Sequence, residues 1–125
     1  MSVKQFLQVG GAILLVLGIV GYLVPNIGGQ YLWFDNAENV AHTLLGVVAL
    51  GLSTVPNDDL QKWVVVLVGI VALYFGVWGF VVAGNPTPNY YGVTNLETLD
   101  NIVHLVVGVW ALWASLGNKP AMASF

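Results

Sequence analysis

The chain is a succession of long apolar runs broken by short polar stretches. Four runs approach the length of about 20 residues needed to cross the hydrocarbon core of a bilayer as a helix. They cover about 6–24, 36–55, 63–83 and 98–116. The breaks carry turn chemistry: "VPNIGG" after the first, "TVPNDD" after the second, "AGNPTPNYYG" after the third. Gly117 and Pro120 end the fourth run. The expected fold is all-α, an integral membrane four-helix bundle forming one transmembrane domain over 1–125.

The same pattern occurs twice. Gly11, Gly18 and Gly21 recur 58 residues on as Gly69, Gly76 and Gly79. Beyond the next loop the offset becomes 62. Asp35 then matches Glu97, Glu38 matches Asp100, and Asn39 matches Asn101. His42 matches His104, Gly46 matches Gly108, Ala49 matches Ala111, and Ser53 matches Ser115. Repeat 1 covers about 6–55 and repeat 2 about 63–116, each a helical hairpin. Hairpins that start on the same side are parallel repeats, and parallel repeats imply a pseudo-two-fold axis along the membrane normal. His42 and His104 then lie at the same depth.

Composition reinforces the membrane reading. Hydrophobic residues make up 58% of the chain and charged residues 7%, against about 25% charged in a soluble domain. Nine charged side chains cannot cover a soluble fold of 125 residues. There is no Arg and no basic run, so nucleic acid is excluded as a partner on electrostatic grounds. Zero Cys removes disulfides, thiolate metal sites and thiol nucleophiles. No A-x-A-like cleavage site follows the first run, which reads as a retained span rather than a signal peptide.

The three lysines set the orientation. Lys4, Lys62 and Lys119 fall at the N-terminus, the middle loop and the C-terminal tail, all on one side of a four-span topology. By the positive-inside rule both termini are cytoplasmic, in a multi-pass protein of the plasma membrane. Tyr31, Trp33, Phe34, Tyr90 and Tyr91 fall in the outer loops, where amphipathic rings suit the interface.

The candidate chemistry lies on the second and fourth runs. His42, Gly46, Ala49 and Ser53 follow steps of four, three and four, one face of a helix. His104, Gly108, Ala111 and Ser115 repeat it. Small residues on one stripe let helix backbones approach closely. The packing set is therefore Gly11, Gly18, Gly21, Ala49, Ser53, Gly69, Gly76, Gly79, Ala111 and Ser115. The polar cluster is Glu38, Asn39, Asp100 and Asn101. Both acids sit four residues before a His, within side-chain reach, where a carboxylate against imidazole Nδ1–H would fix the tautomer. "DNAE" at 35–38 and "TNLE" at 94–97 also read as capping boxes.

The histidines admit three readings. Each hydrogen-bonds across the bundle to Asn39, Asn101 or an acid and fixes the packing. Alternatively the pair ligates a haem or pigment as a cofactor, with Gly46 and Gly108 clearing space; no cofactor at all is equally compatible. The third is a metal, ion or proton site using His42, His104, Glu38 and Asp100. The E-x-x-H signature of di-iron bundles is absent, and so are the G-x-S-x-G, H-E-x-x-H and P-loop motifs. Ser53 and Ser115 lie about 16 Å along their helices from the histidines, too far for a Ser–His pair. The expectation is a non-enzymatic protein working through helix packing. Its partners are the bilayer and either copies of itself or a larger membrane complex.

The repeated Asn-x-x-His-x-x-x-Gly of Asn39, His42, Gly46 and of Asn101, His104, Gly108 resembles the DUF4383 family. These are small four-span bacterial membrane proteins of unknown function. The resemblance runs from about Gly11 to Leu116 and implies a bacterial or archaeal cytoplasmic membrane; it implies no activity.

Overall fold

The computed structural model describes residues 2–24 and 35–117. Among these residues are four α-helices and no strand: α1 (Val3–Leu23), α2 (Asn36–Leu52), α3 (Asp58–Val81) and α4 (Thr98–Leu112). A π-helical turn, Trp113–Gly117, continues α4. The "VPNIGG" break beyond Val24, with Tyr31, Trp33, Phe34, Lys119 and Pro120, lies outside the described residues.

Cap chemistry, not hydropathy, sets the helix ends. α1 starts at Val3, before the apolar run, because Ser2 and Gln5 form a capping box. Ser2 Oγ accepts from Gln5 N at 3.1 Å, and Ser2 N donates to Gln5 Oε1 at 2.9 Å. α3 starts at Asp58, five residues before the expected Trp63, because Asn57 Oδ1 accepts from Leu60 N at 3.0 Å. α2 stops at Leu52 rather than Val55. Ser53 Oγ and Thr54 Oγ1 turn back to the Leu50 and Gly51 carbonyls at 2.6 and 2.7 Å. The buried Gln61 then donates through Nε2 to the Leu52 and Val55 carbonyls at 2.8 and 3.0 Å. That one side chain ties the end of α2 to the start of α3.

Three helical segments are long and apolar enough to cross a membrane: Val3–Leu23, Asp58–Val81 and Thr98–Gly117. The expected fourth, α2, has 17 residues, about 25 Å of helix against a hydrocarbon core of about 30 Å.

The packing follows the glycines. α1 lies antiparallel on α2, and α3 antiparallel on α4. A Cβ at Gly11 would stand 3.1 Å from the Gly46 carbonyl oxygen and 3.1 Å from Leu50 Cγ. One at Gly69 would stand 3.2 Å from the Gly108 carbonyl oxygen and 2.8 Å from Leu112 Cγ. Such close contact gives lipid-embedded helices their dispersion energy, since burial from lipid adds no hydrophobic gain. The hairpins meet in a small apolar core of Phe6, Leu7, Val65, Ala111 and Ala114. Phe6 stands edge-on to Trp110 with ring centroids 4.5 Å apart. Many other Val, Leu and Ile side chains point outward; Leu44, Leu67 and Val106 are each about 60% exposed. An apolar surface this extensive is suited to lipid.

Candidate functional site

The first turns of α2 and α4 sit together at the loop end of the bundle. α2 begins with a reciprocal capping box. Asp35 Oδ1 accepts from Glu38 N at 2.8 Å, and Asp35 N reaches Glu38 Oε1 at 3.4 Å. Asp35 does a second job with its other oxygen. Oδ2 accepts from the Thr94 hydroxyl at 2.7 Å and from Asn95 N at 2.9 Å. These are charge-assisted bonds, and they join the first hairpin to the loop of the second.

The second expected capping box does not form. α4 is capped at Glu97, with no side-chain capping bond, so "TNLE" precedes the helix instead of opening it. The Thr94 hydroxyl donates to Asp35 instead. Asn89 holds this loop: its side chain accepts from Leu96 N at 2.8 Å and donates to the Leu96 carbonyl at 3.0 Å. Nothing in local spacing marked Asn89 or the Thr94–Asp35 tie, because both depend on tertiary neighbours.

Glu38 and Asp100 are the third residues of their helices and are both buried. Their side chains are neighbours across the two hairpins, both withdrawn from solvent. Asp100 Oδ2 takes no hydrogen bond from the described residues. His42, half-buried on α2, lies within electrostatic reach of Asp100, His104 and Asp35. His104 packs on Phe75 of α3, ring centroids 6.0 Å apart. Among the described residues the carboxylate–imidazole Nδ1–H pairing expected for His104 is not formed, since its buried Nδ1 makes no hydrogen bond with any of them.

Asn39 and Asn101 are 1% exposed. Asn101 lies directly over Gly79, where any Cβ would collide with its amide. Thr43 fills the same kind of space over Gly18, its hydroxyl donating to the Asn39 carbonyl at 2.8 Å. Thr43 and Phe75 were not singled out in the sequence. Their roles follow from facing a glycine and a histidine on a neighbouring helix.

The space expected beside Gly46 and Gly108 for a flat ligand is filled. A Cβ at Gly46 would stand 2.6 Å from Leu15 N, and one at Gly108 2.6 Å from Leu73 Cγ. Two surface grooves, one over Ala12, Ile13, Val16 and Leu17 and one beside Asn89, Glu97 and Ile102, have neither histidine in their walls. Among the described residues, no three of His, Asp and Glu converge as metal ligands. Ser53 and Ser115 turn their hydroxyls onto their own helices, Ser115 Oγ donating to the Ala111 carbonyl at 2.7 Å.

The aromatics of the second loop form a connected group. The Tyr74 and Tyr90 hydroxyls are 3.0 Å apart, and Trp78 Nε1 donates to Tyr91 Oη at 3.1 Å. The bond to Tyr74, with a smaller contribution from burial, holds the Tyr90 phenol above its ordinary ionisation range. Tyr91 and Gly92 take φ of 51° and 75°, the left-handed pair that turns this loop. Comparison with family models, with curated proteins and with solved structures finds no match to the chain.

Proposed function

We propose that this chain is a small multi-pass membrane protein without catalytic chemistry, working through helix packing as part of a homo-oligomer or larger membrane complex. The observation that carries this reading is the inward direction of its polar groups. Asp35 is spent on Thr94 and Asn95, Glu38 faces Asp100, and Asn101 is packed over Gly79. These groups hold helices together and line no substrate-sized cavity that the described residues reveal.

In this reading α2 is the fourth span. Its support is the lengthwise contact with α1, Gly11 against Gly46 and Gly18 against Thr43, which keeps α2 at the depth of a helix long enough to cross. Two like-oriented hairpins and a pseudo-two-fold axis are supported by matched contacts. Gly46 meets Leu15 and the Gly11 carbonyl; Gly108 meets Leu73 and the Gly69 carbonyl, each partner shifted by the repeat offset. Lys4 and Lys62 fall at the end opposite the polar junction, which the positive-inside rule makes cytoplasmic in a plasma membrane. The resemblance to the DUF4383 family belongs to this proposal and carries no activity with it.

Native mass spectrometry of protein released in mild detergent, with crosslinking in intact membranes, tests the role. A defined oligomer or a stoichiometric membrane partner is expected. A stable monomer that crosslinks to nothing contradicts it.

A further inference from the structure

We propose that Glu38 and Asp100 form a proton-binding clasp, in which one proton held between the two carboxyl groups joins the first hairpin to the second. The inference rests on the membrane-embedded two-hairpin reading and adds a ligand to its polar junction.

The geometry leaves little alternative. Two carboxyl groups have only acceptor oxygens when both are ionised, so a hydrogen bond between them requires a proton on one. Glu38 is 8% exposed and Asp100 5%, where two bare like charges in contact would be very costly. No strong cation among the described residues offsets them. The chain has no Arg, and the two described lysines, Lys4 and Lys62, lie near the starts of α1 and α3, at the far end of the bundle. Asp100 Oδ2 has no donor among the described residues, which an ionised carboxylate in this setting would need.

The titratable neighbours among the described residues are few. α2 brings Asp35, already satisfied by Glu38 N, Thr94 and Asn95, and His42. α4 brings His104 and, at its cap, Glu97. In their outer halves α1 offers Tyr22 and α3 Tyr74, both about half exposed, and the α3–α4 loop adds Tyr90 and Tyr91. The single negative charge left on the pair sits at the N-termini of two helices, whose amide dipoles favour an anion. A rise in pH at the loop-side aqueous phase removes the proton, leaves two carboxylates in contact, and loosens the junction between the hairpins.

Infrared spectroscopy of the full chain in lipid nanodiscs tests this, by following the carbonyl stretch of protonated carboxyl groups against pH. One such band is expected at neutral pH in the wild type, lost on alkalinisation. It should be missing in Glu38→Gln and in Asp100→Asn, whose amides can replace the shared proton as donor. Thermal stability should fall more steeply with alkaline pH in the wild type than in Glu38→Gln, which keeps only the loss linked to Tyr90. No protonated-carboxyl band at neutral pH in folded wild type would overturn the clasp, as would a band that survives in either variant. Because the band is read equally in a monomer or an oligomer, its failure is distinct from failure of the assembly role.

Discussion

The Thr94 hydroxyl donates to Asp35 Oδ2 at 2.7 Å, tying the loop of one hairpin to the first turn of the other. The same carboxylate caps α2 through Oδ1. Asp35→Ala should therefore destabilise the fold by about 2–3 kcal/mol, and Thr94→Val by about 1 kcal/mol. The double variant should cost no more than Asp35→Ala alone, since the Thr94 bond is already lost. Detergent-denaturation midpoints in mixed micelles measure all three.

The glycine contacts differ in what blocks a methyl group. At Gly46 the obstacle is backbone, Leu15 N at 2.6 Å; at Gly108 it is the Leu73 side chain. A side chain can rotate and a helix backbone cannot. Gly46→Ala should cost about 1–3 kcal/mol and Gly108→Ala less. Gly51→Ala, with nothing within 4 Å of its Cβ, should be neutral or slightly stabilising. The ranking can be read from the same denaturation series.

Gln61→Leu keeps the side-chain volume but strips the donors from the Leu52 and Val55 carbonyls. The expected loss is about 1–3 kcal/mol, with the α2–α3 connection becoming the most easily cleaved segment. Limited proteolysis of reconstituted protein would show cutting between 52 and 58 in the variant only.

Ionisation of Tyr90 reports the loop. Its phenol is held above the ordinary range chiefly by the Tyr74 hydroxyl. A raised acid contributes stability that is present below the ordinary tyrosine range and lost as pH rises through the raised value. Tyr74→Phe should let one phenolate signal appear at lower pH in an ultraviolet titration. An unchanged titration would detach Tyr90 from Tyr74.

With Gly46 and Gly108 filled by α1 and α3, natively purified protein should show no Soret or pigment band. His42→Ala and His104→Ala should leave the visible spectrum unchanged. A band lost in either variant would restore ligation by the histidines.

Much of this architecture was readable in the sequence where the signal is local. Asp35 with Glu38 declared the start of α2, and the glycine spacing marked the stripes along which the helices pack. Ser2 with Gln5 was an equally good signal for the start of α1, hidden by the later onset of the apolar run. What stayed hidden was tertiary. Thr94 serves Asp35 from 59 residues away and abandons the cap its own motif suggested. The side chains of Glu38 and Asp100 lie against each other, a contact between hairpins that intrahelical spacing to His42 and His104 could not reveal.

The central claim is that two hairpins enter the membrane from the same side, which requires α2 to cross despite its 17 residues. The chain has no cysteine, so single replacements give clean labelling sites. Lys4→Cys, Asp59→Cys and Tyr91→Cys, treated with a membrane-impermeant maleimide in intact spheroplasts, measure it directly. Tyr91→Cys should label from outside, with Lys4→Cys and Asp59→Cys labelling only after permeabilisation. Labelling of Asp59→Cys from the same side as Tyr91→Cys, or opposite sides for Lys4→Cys and Asp59→Cys, would contradict the account.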